Sequence, residues 1–233
     1  IDLLPDLAAM RDKAKRPQVK VFYGALAMGW RGDSAHWQGL HKVSFYLAAL
    51  AAPLVISVHS IVGLDFAISN LTGWHHTIFP PFFVAGAVYS GFAMVIIFAV
   101  LLRSGFQMQH LITRRHLENA AKLMLITGLI VTYGYLVEIF GAWFKGEETE
   151  VALYRERFLG AYAVPYIGML ILNGLVVQLL WFKQVRTRAA PLIFVSVCIL
   201  VGMWLERFII VPASLSFPQQ ESMWAIWEFN VWD

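Results

Sequence analysis

Apolar positions run through this chain in long uninterrupted blocks. No charged side chain occurs from Val43 to Leu64, from Phe79 to Leu102, or from Phe158 to Phe182. Two further blocks, about 117–144 and 190–212, stay apolar through most of their length. Each block reaches the roughly 20 residues that an α-helix needs to cross about 30 Å of hydrocarbon. The pattern therefore predicts five spanning helices, over about 42–63, 79–102, 117–144, 159–182 and 190–212. Pro53 predicts a kink in the first. Pro80-Pro81 opens the second, where missing donors cost nothing, and Pro191 and Pro212 bracket the fifth.

The polar ends read differently. Residues 1–40 are amphipathic and basic: LPDLAAMRDKAKR predicts a short interfacial helix, and GWRGDSAHWQGLHK a loop with a helix N-cap at Asp33 or Ser34. The last stretch, 214–233, carries three tryptophans and suits an interfacial segment. The expected organisation is thus a cytoplasmic segment over 1–40, an all-α polytopic transmembrane bundle over 41–213, and an outer-face tail over 214–233. The chain starts at Ile1 with no cleavage pattern behind it, and five spans leave its ends on opposite sides. Both observations lead us to expect a piece of a longer protein.

Composition agrees with the pattern: 59% of residues are hydrophobic and only 14% charged, against about 25% charged in soluble domains. The single cysteine, Cys198, excludes an intrachain disulfide and an iron–sulfur cluster held by this chain alone, and it reads as a small core residue. There is no CxxCH for covalent haem. The basic pI does not indicate nucleic-acid binding, because the cations follow topology. Fourteen of the 18 Lys and Arg lie before the first span, around the second-to-third connection including Lys122, or between the fourth and fifth. The bias predicts that residues 1–40, 103–116 and 183–188 are cytoplasmic. The connections after the first and third spans then face outward.

Few ionisable residues interrupt the spans, and they fall at one depth. Counted from Lys42, Lys122 and Arg188, the residues His59, Glu138 and Glu206 lie about 25 Å across at ~1.5 Å per residue. Asp65 is the only charged residue between Lys42 and Arg103, and His75 and His76 follow in the same connection. Ionisable groups inside a bilayer usually face a cavity or a partner. Histidine switches protonation near neutral pH, and a desolvated carboxyl accepts protons transiently. Together with Phe66, Trp74, Phe79, Phe82, Phe83, Phe140 and Trp143, they suit a quinol headgroup and its apolar tail. Tyr133, Asn173 and Glu206 extend a candidate proton path. A b-type haem would need two histidines at matched depth, and only His59 lies well inside a span. The competing class is a structural anchor or ion-conducting subunit without catalytic duty.

The segments SVHSIVGLDFAISN, GWHHTIFPPFFVAGAVYSGFAMV, RRHLENAAKL and GMWLERFIIVPASL, with Glu138 ahead of AWFKG, resemble the NrfD/PsrC-like membrane subunits. More narrowly they are similar to ActC, and to its relative ActF, of bacterial alternative complex III. The resemblance implies a helix bundle of about eight to ten spans in the bacterial cytoplasmic membrane, without a redox cofactor of its own. It implies menaquinol oxidised near the outer face, with electrons passing to an iron–sulfur subunit and then to c-type haems, beside a homologous membrane subunit. On the matching segments, His59, Asp65 and Glu138 are the expected catalytic groups. His59, Asp65, Phe66, Trp74, Phe83 and Arg207 are the expected quinol contacts, and Glu138, Glu206, Tyr133 and Asn173 the proton path. No metal site is expected.

Overall fold

The computed structural model describes residues 2–217. The predicted tail falls, from residue 218 on, outside them. Every regular element among the described residues is helical. The chain packs as two units, Ile1–Val58 and His59–Asp233.

In the first unit, α1 (Leu4–Lys13) is the predicted amphipathic helix, and α2 (Pro17–Leu26) is a second that the sequence reading left out. Each has proline in its first turn, where the lost N–H costs nothing. A small core of Ala8, Ala27 and Trp30 joins them, and Arg11 Nη1 donates to the Trp30 carbonyl at 3.0 Å. Asp33 accepts the backbone N–H of His36 at 2.9 Å, an N-cap that starts α3 (Ser34–Ala67) eight residues before the predicted 42. That cap turns the expected loop into helix. Pro53 lies inside α3.

The second unit holds the end of α3 and the rest of the bundle. α4 (Phe79–Gly105) and α5 (Arg114–Lys145) lie where the apolar blocks predict. Thr113 and His116 form a capping box at the start of α5, and Gly146, with φ 65°, terminates it. The predicted 159–182 span is not one element. A separate helix, α6 (Glu148–Leu159), precedes α7 (Ala163–Leu170), which continues as a π turn over Ile171–Leu175 and a 3₁₀ segment over Val176–Trp181. A short α8 (Lys183–Thr187) leads to α9 (Ala189–Phe208), which ends in a second π turn, Ile209–Ala213. Five of these helical stretches are long and apolar enough to cross a membrane: Ser34–Ala67, Phe79–Gly105, Arg114–Lys145, Ala163–Trp181 and Ala189–Ala213.

α4 packs against both α5 and α9, and the fourth span fills the space beside them. Helices in lipid gain little from the hydrophobic effect, so close packing and hydrogen bonds carry association. The sequence suggests small residues on α4 for this purpose, and Ala85 and Gly86 are buried there. Closer notches, however, lie on α5. Gly134 receives the Phe82 ring, and Gly128 receives Tyr89 and Val177; a Cβ on Gly128 would lie 2.8 Å from both. Gly128→Ala is therefore expected to cost about 1–3 kcal/mol through overpacking, read as a lowered thermal unfolding midpoint in detergent. A midpoint equal to wild type would contradict this packing.

Candidate functional site

Five elements converge on one polar cluster inside the second unit. α5 brings Tyr135 and Glu138, three residues apart and hence on one face. α9 brings Glu206 and Arg207, α6 brings Arg157, α7 brings Tyr166 and Met169, and the π turn of the fourth span brings Asn173. Tyr135, Glu138, Arg157, Tyr166, Met169 and Glu206 line one cavity with Phe79, Phe82 and Gly73. Its interior admits the centre of a water molecule over about 10 Å³, room for roughly one water.

Glu206 is the deepest member, 1% exposed. The Tyr135 hydroxyl donates to its Oε2, and Arg207 Nη2 lies 3.3 Å from Oε1. Tyr135 in turn accepts a bond from Asn173 Nδ2 at 2.8 Å, and the Asn173 carbonyl accepts the Tyr89 hydroxyl at 3.0 Å. This chain of bonds ties α4, α5, the fourth span and α9 together around one carboxyl. Arg157 is also buried; it donates to Ser214 Oγ at 2.9 Å, and its guanidinium lies 5.1 Å from the Tyr154 ring and 5.9 Å from that of Tyr166. Two guanidinium groups thus stand with two carboxyls in a setting where an unpaired charge would be costly.

The predicted site residues divide. Glu138, Glu206, Asn173 and Arg207 come together. Phe66, Trp74 and Phe83 also meet: the Phe66 ring centre is 4.4 Å from Trp74 and 5.3 Å from Phe83, and Arg207 sits 4.5 Å over Phe83. These rings fill their space and form a wall. The Trp74 indole N–H donates to the Ile210 carbonyl, in the turn where Pro212 supplies no donor of its own. His59 and Asp65 stand apart from the cavity. α3 runs on to Ala67, so Asp65 lies exposed in a helical turn instead of a loop, and His59 is half-buried on the same helix. Tyr133 is 63% exposed and points away from the cluster that holds Tyr135.

Tyr135, Arg157, Tyr154 and Glu150 were not singled out by the sequence. The signal for Tyr135 was its i−3 spacing from Glu138. For the others it was the recurrence of Glu150, Leu153, Tyr154 and Arg157 at i, i+3, i+4 and i+7, which are the buried residues of α6.

A second hollow opens to the side of the bundle. It is an apolar groove of about 460 Å³ between α5 and the fourth span, lined by Thr132, Leu136, Ile139, Ile167, Leu170 and Gln178 among others. Tyr135 lines this groove as well as the polar cavity.

Outside the spans, His76 is buried in the connection between α3 and α4, with its ring 5.6 Å from Phe79 and no protein partner for Nε2. Burial, reinforced by the positive charges of Lys145 and Arg157, lowers its pKa to about 4. His76 is thus neutral at physiological pH.

Residues 19–219 match the family described as polysulphide reductase, NrfD. No curated protein matches the chain.

Because the folded His76 binds its proton only near pH 4, the unfolded chain takes up a proton first as pH falls below 6.5. The stability that neutral His76 contributes is present above pH 6.5 and is lost as pH drops toward 4. The thermal midpoint of the wild type should therefore fall more steeply across that window than that of His76→Gln. Parallel curves would show that His76 titrates normally.

Proposed function

Because the chain belongs to the polysulphide reductase NrfD family, we propose that it is the quinol-oxidising membrane subunit of a redox complex. Members of this family are membrane subunits of quinol-linked oxidoreductase complexes and work beside iron–sulfur subunits. The observation that carries the proposal is the position of Tyr135, shared by a lipid-side apolar groove and a cavity holding two carboxyls. A groove of that volume suits a prenylated ring, and the buried acids suit proton acceptance.

In this reading the quinol enters from the lipid and sets one hydroxyl against Tyr135. Oxidation releases two electrons and two protons and leaves the quinone. Each proton passes across the Tyr135 hydroxyl to Glu206 or Glu138, while Asn173 orients the phenol and Arg207 and Arg157 balance the carboxylate charge. The electrons go to the iron–sulfur partner on the outer face and on to c-type haems. The chain supplies no redox centre of its own and is inactive alone. His59 and Asp65 line neither hollow, so the headgroup contact falls to Tyr135 in their place. Phe66, Trp74 and Phe83 back the layer as a packed wall. The charge bias supports an outward position for this layer, in a bacterial cytoplasmic membrane. Within the family, GWHHTIFPPFFVAGA favours an ActC-like subunit of an alternative complex III that uses menaquinol.

One observation favours a second reading, a proton-conducting or anchoring sister subunit: the polar cavity has room for a water and not for a ring. Two measurements on the purified complex separate them. Glu206→Gln and Tyr135→Phe should each lower quinol turnover by roughly 10²-fold while the complex stays assembled. A fluorescent quinol-site inhibitor should bind saturably to wild type and more weakly to Leu136→Trp, which crowds the groove from its exposed side. Binding and turnover indifferent to all three changes would move quinol oxidation to another subunit.

A further inference from the structure

We propose that the inward face of α6 is a hydrated route by which protons leave the buried layer, with Glu150 as the carboxyl that releases them. The proposal rests on the reading above and specifies where the protons go. α6 lies outside the spans and buries Glu150, Leu153, Tyr154 and Arg157. Three of these four are polar, an expensive choice for a helix that could turn leucines inward and leave its charges in water.

The two ends of this face open onto different hollows. Arg157 lines the cavity that holds Glu138 and Glu206. Glu150 lines a separate polar hollow of about 260 Å³, built from Asn70, Leu71, Thr72 and His75 of the α3–α4 connection and from Glu147 and Thr149 at the start of α6. Seven residues separate Arg157 from Glu150, about 10 Å along a helix, and Tyr154 stands between them on the same face. Arg157 Nε, Tyr154 Oη and Glu150 Oε2 are each buried without a hydrogen-bond partner in the protein. Three such atoms in succession along one face require water, since buried polar groups are almost always paired.

The side of the route is closed by the α3–α4 connection. Gly73 has a φ of 82°, and a Cβ there would meet Leu153 and come within 3.0 Å of Arg157 Nη2, so only glycine lets the loop lie this close to α6. Glu150 is not locked in a tight ion pair. Its nearest cation, Lys145 Nζ, is 3.9 Å from Oε1, too long for a tight charged hydrogen bond. Lys145 from α5, His75 from the loop, and Glu147 and Tyr154 on the α6 side are the ionisable groups around it. A proton held by Glu138 or Glu206 moves through water past the Tyr154 hydroxyl to Glu150 Oε2. Glu150 then gives it to water in the outer hollow, and every carboxyl returns to its starting state. The two electrons leave separately, to the iron–sulfur partner.

The test uses the purified complex, a reduced short-chain naphthoquinol and a soluble dye as electron acceptor. Glu150→Gln should lower kcat at least roughly tenfold with KM unchanged, and Tyr154→Phe should lower it less. Glu150→Asp should recover most of the rate, and millimolar azide or formate should restore part of it in Glu150→Gln, a rescue that a structural lesion would not give. Glu148→Gln, exposed on the same helix, should match wild type. A Glu150→Gln complex with wild-type kcat overturns the route, as does a loss relieved neither by Asp nor by the weak acids. A wild-type complex that does not oxidise naphthoquinol overturns the quinol reading, and the route with it.

Discussion

One buried carboxyl organises the second unit. Glu206 is 1% exposed within an apolar bundle, where an isolated charge is costly whether it is counted on insertion or solvation scales. Three neighbours gather around it, although its Oε1 makes no hydrogen bond within the protein. Tyr135 donates from α5, Arg207 approaches from the next residue, and Asn173 holds the Tyr135 hydroxyl from the fourth span. Removing any of these would leave a polar group stranded. The cluster therefore fixes how four helices sit together as much as it provides chemistry.

Much of the fold was legible because spanning helices announce themselves through unbroken apolar runs. The cap at Asp33 was one of the two positions expected for it, but the start of α5 was less legible: the Thr113–His116 pair lengthens that helix beyond its apolar core, since a cap depends on a local hydrogen bond and not on hydropathy. α6 escaped for the opposite reason. Its buried stripe contains Glu150 and Arg157, so it lacks the apolar face by which amphipathic helices are found. The π turn at Asn173 has the same composition as its flanks, and its register is decided by tertiary hydrogen bonds.

The site was legible in depth and less so in direction. Glu138, Glu206, Asn173 and Arg207 stood out as polar residues in apolar runs, and the structure gathers them. His59 lies at the expected depth by residue count but on a helix that does not bring it to the cavity. Tyr133 and Tyr135 make the same point within one helix. At 3.6 residues per turn, Tyr135 lies about 60° from Glu138 around the axis, whereas Tyr133 lies about 140° away. Sequence position alone selected the tyrosine that faces outward.

The interruption of the fourth span has an effect of its own. A π turn accommodates an extra residue and so shifts the angular phase of everything after it. Before the interruption, α7 packs along α9; after it, the 3₁₀ segment packs chiefly along α5. A single stretch of chain thereby serves two neighbours in succession, as a hinge leaf is screwed first to one board and then to another. Asn173 occupies the changeover, fully buried, with its amide on Tyr135 and its carbonyl on Tyr89. Loss of one residue from Ile171–Leu175 would put the two halves back in phase, and the span would then face only one of its two neighbours.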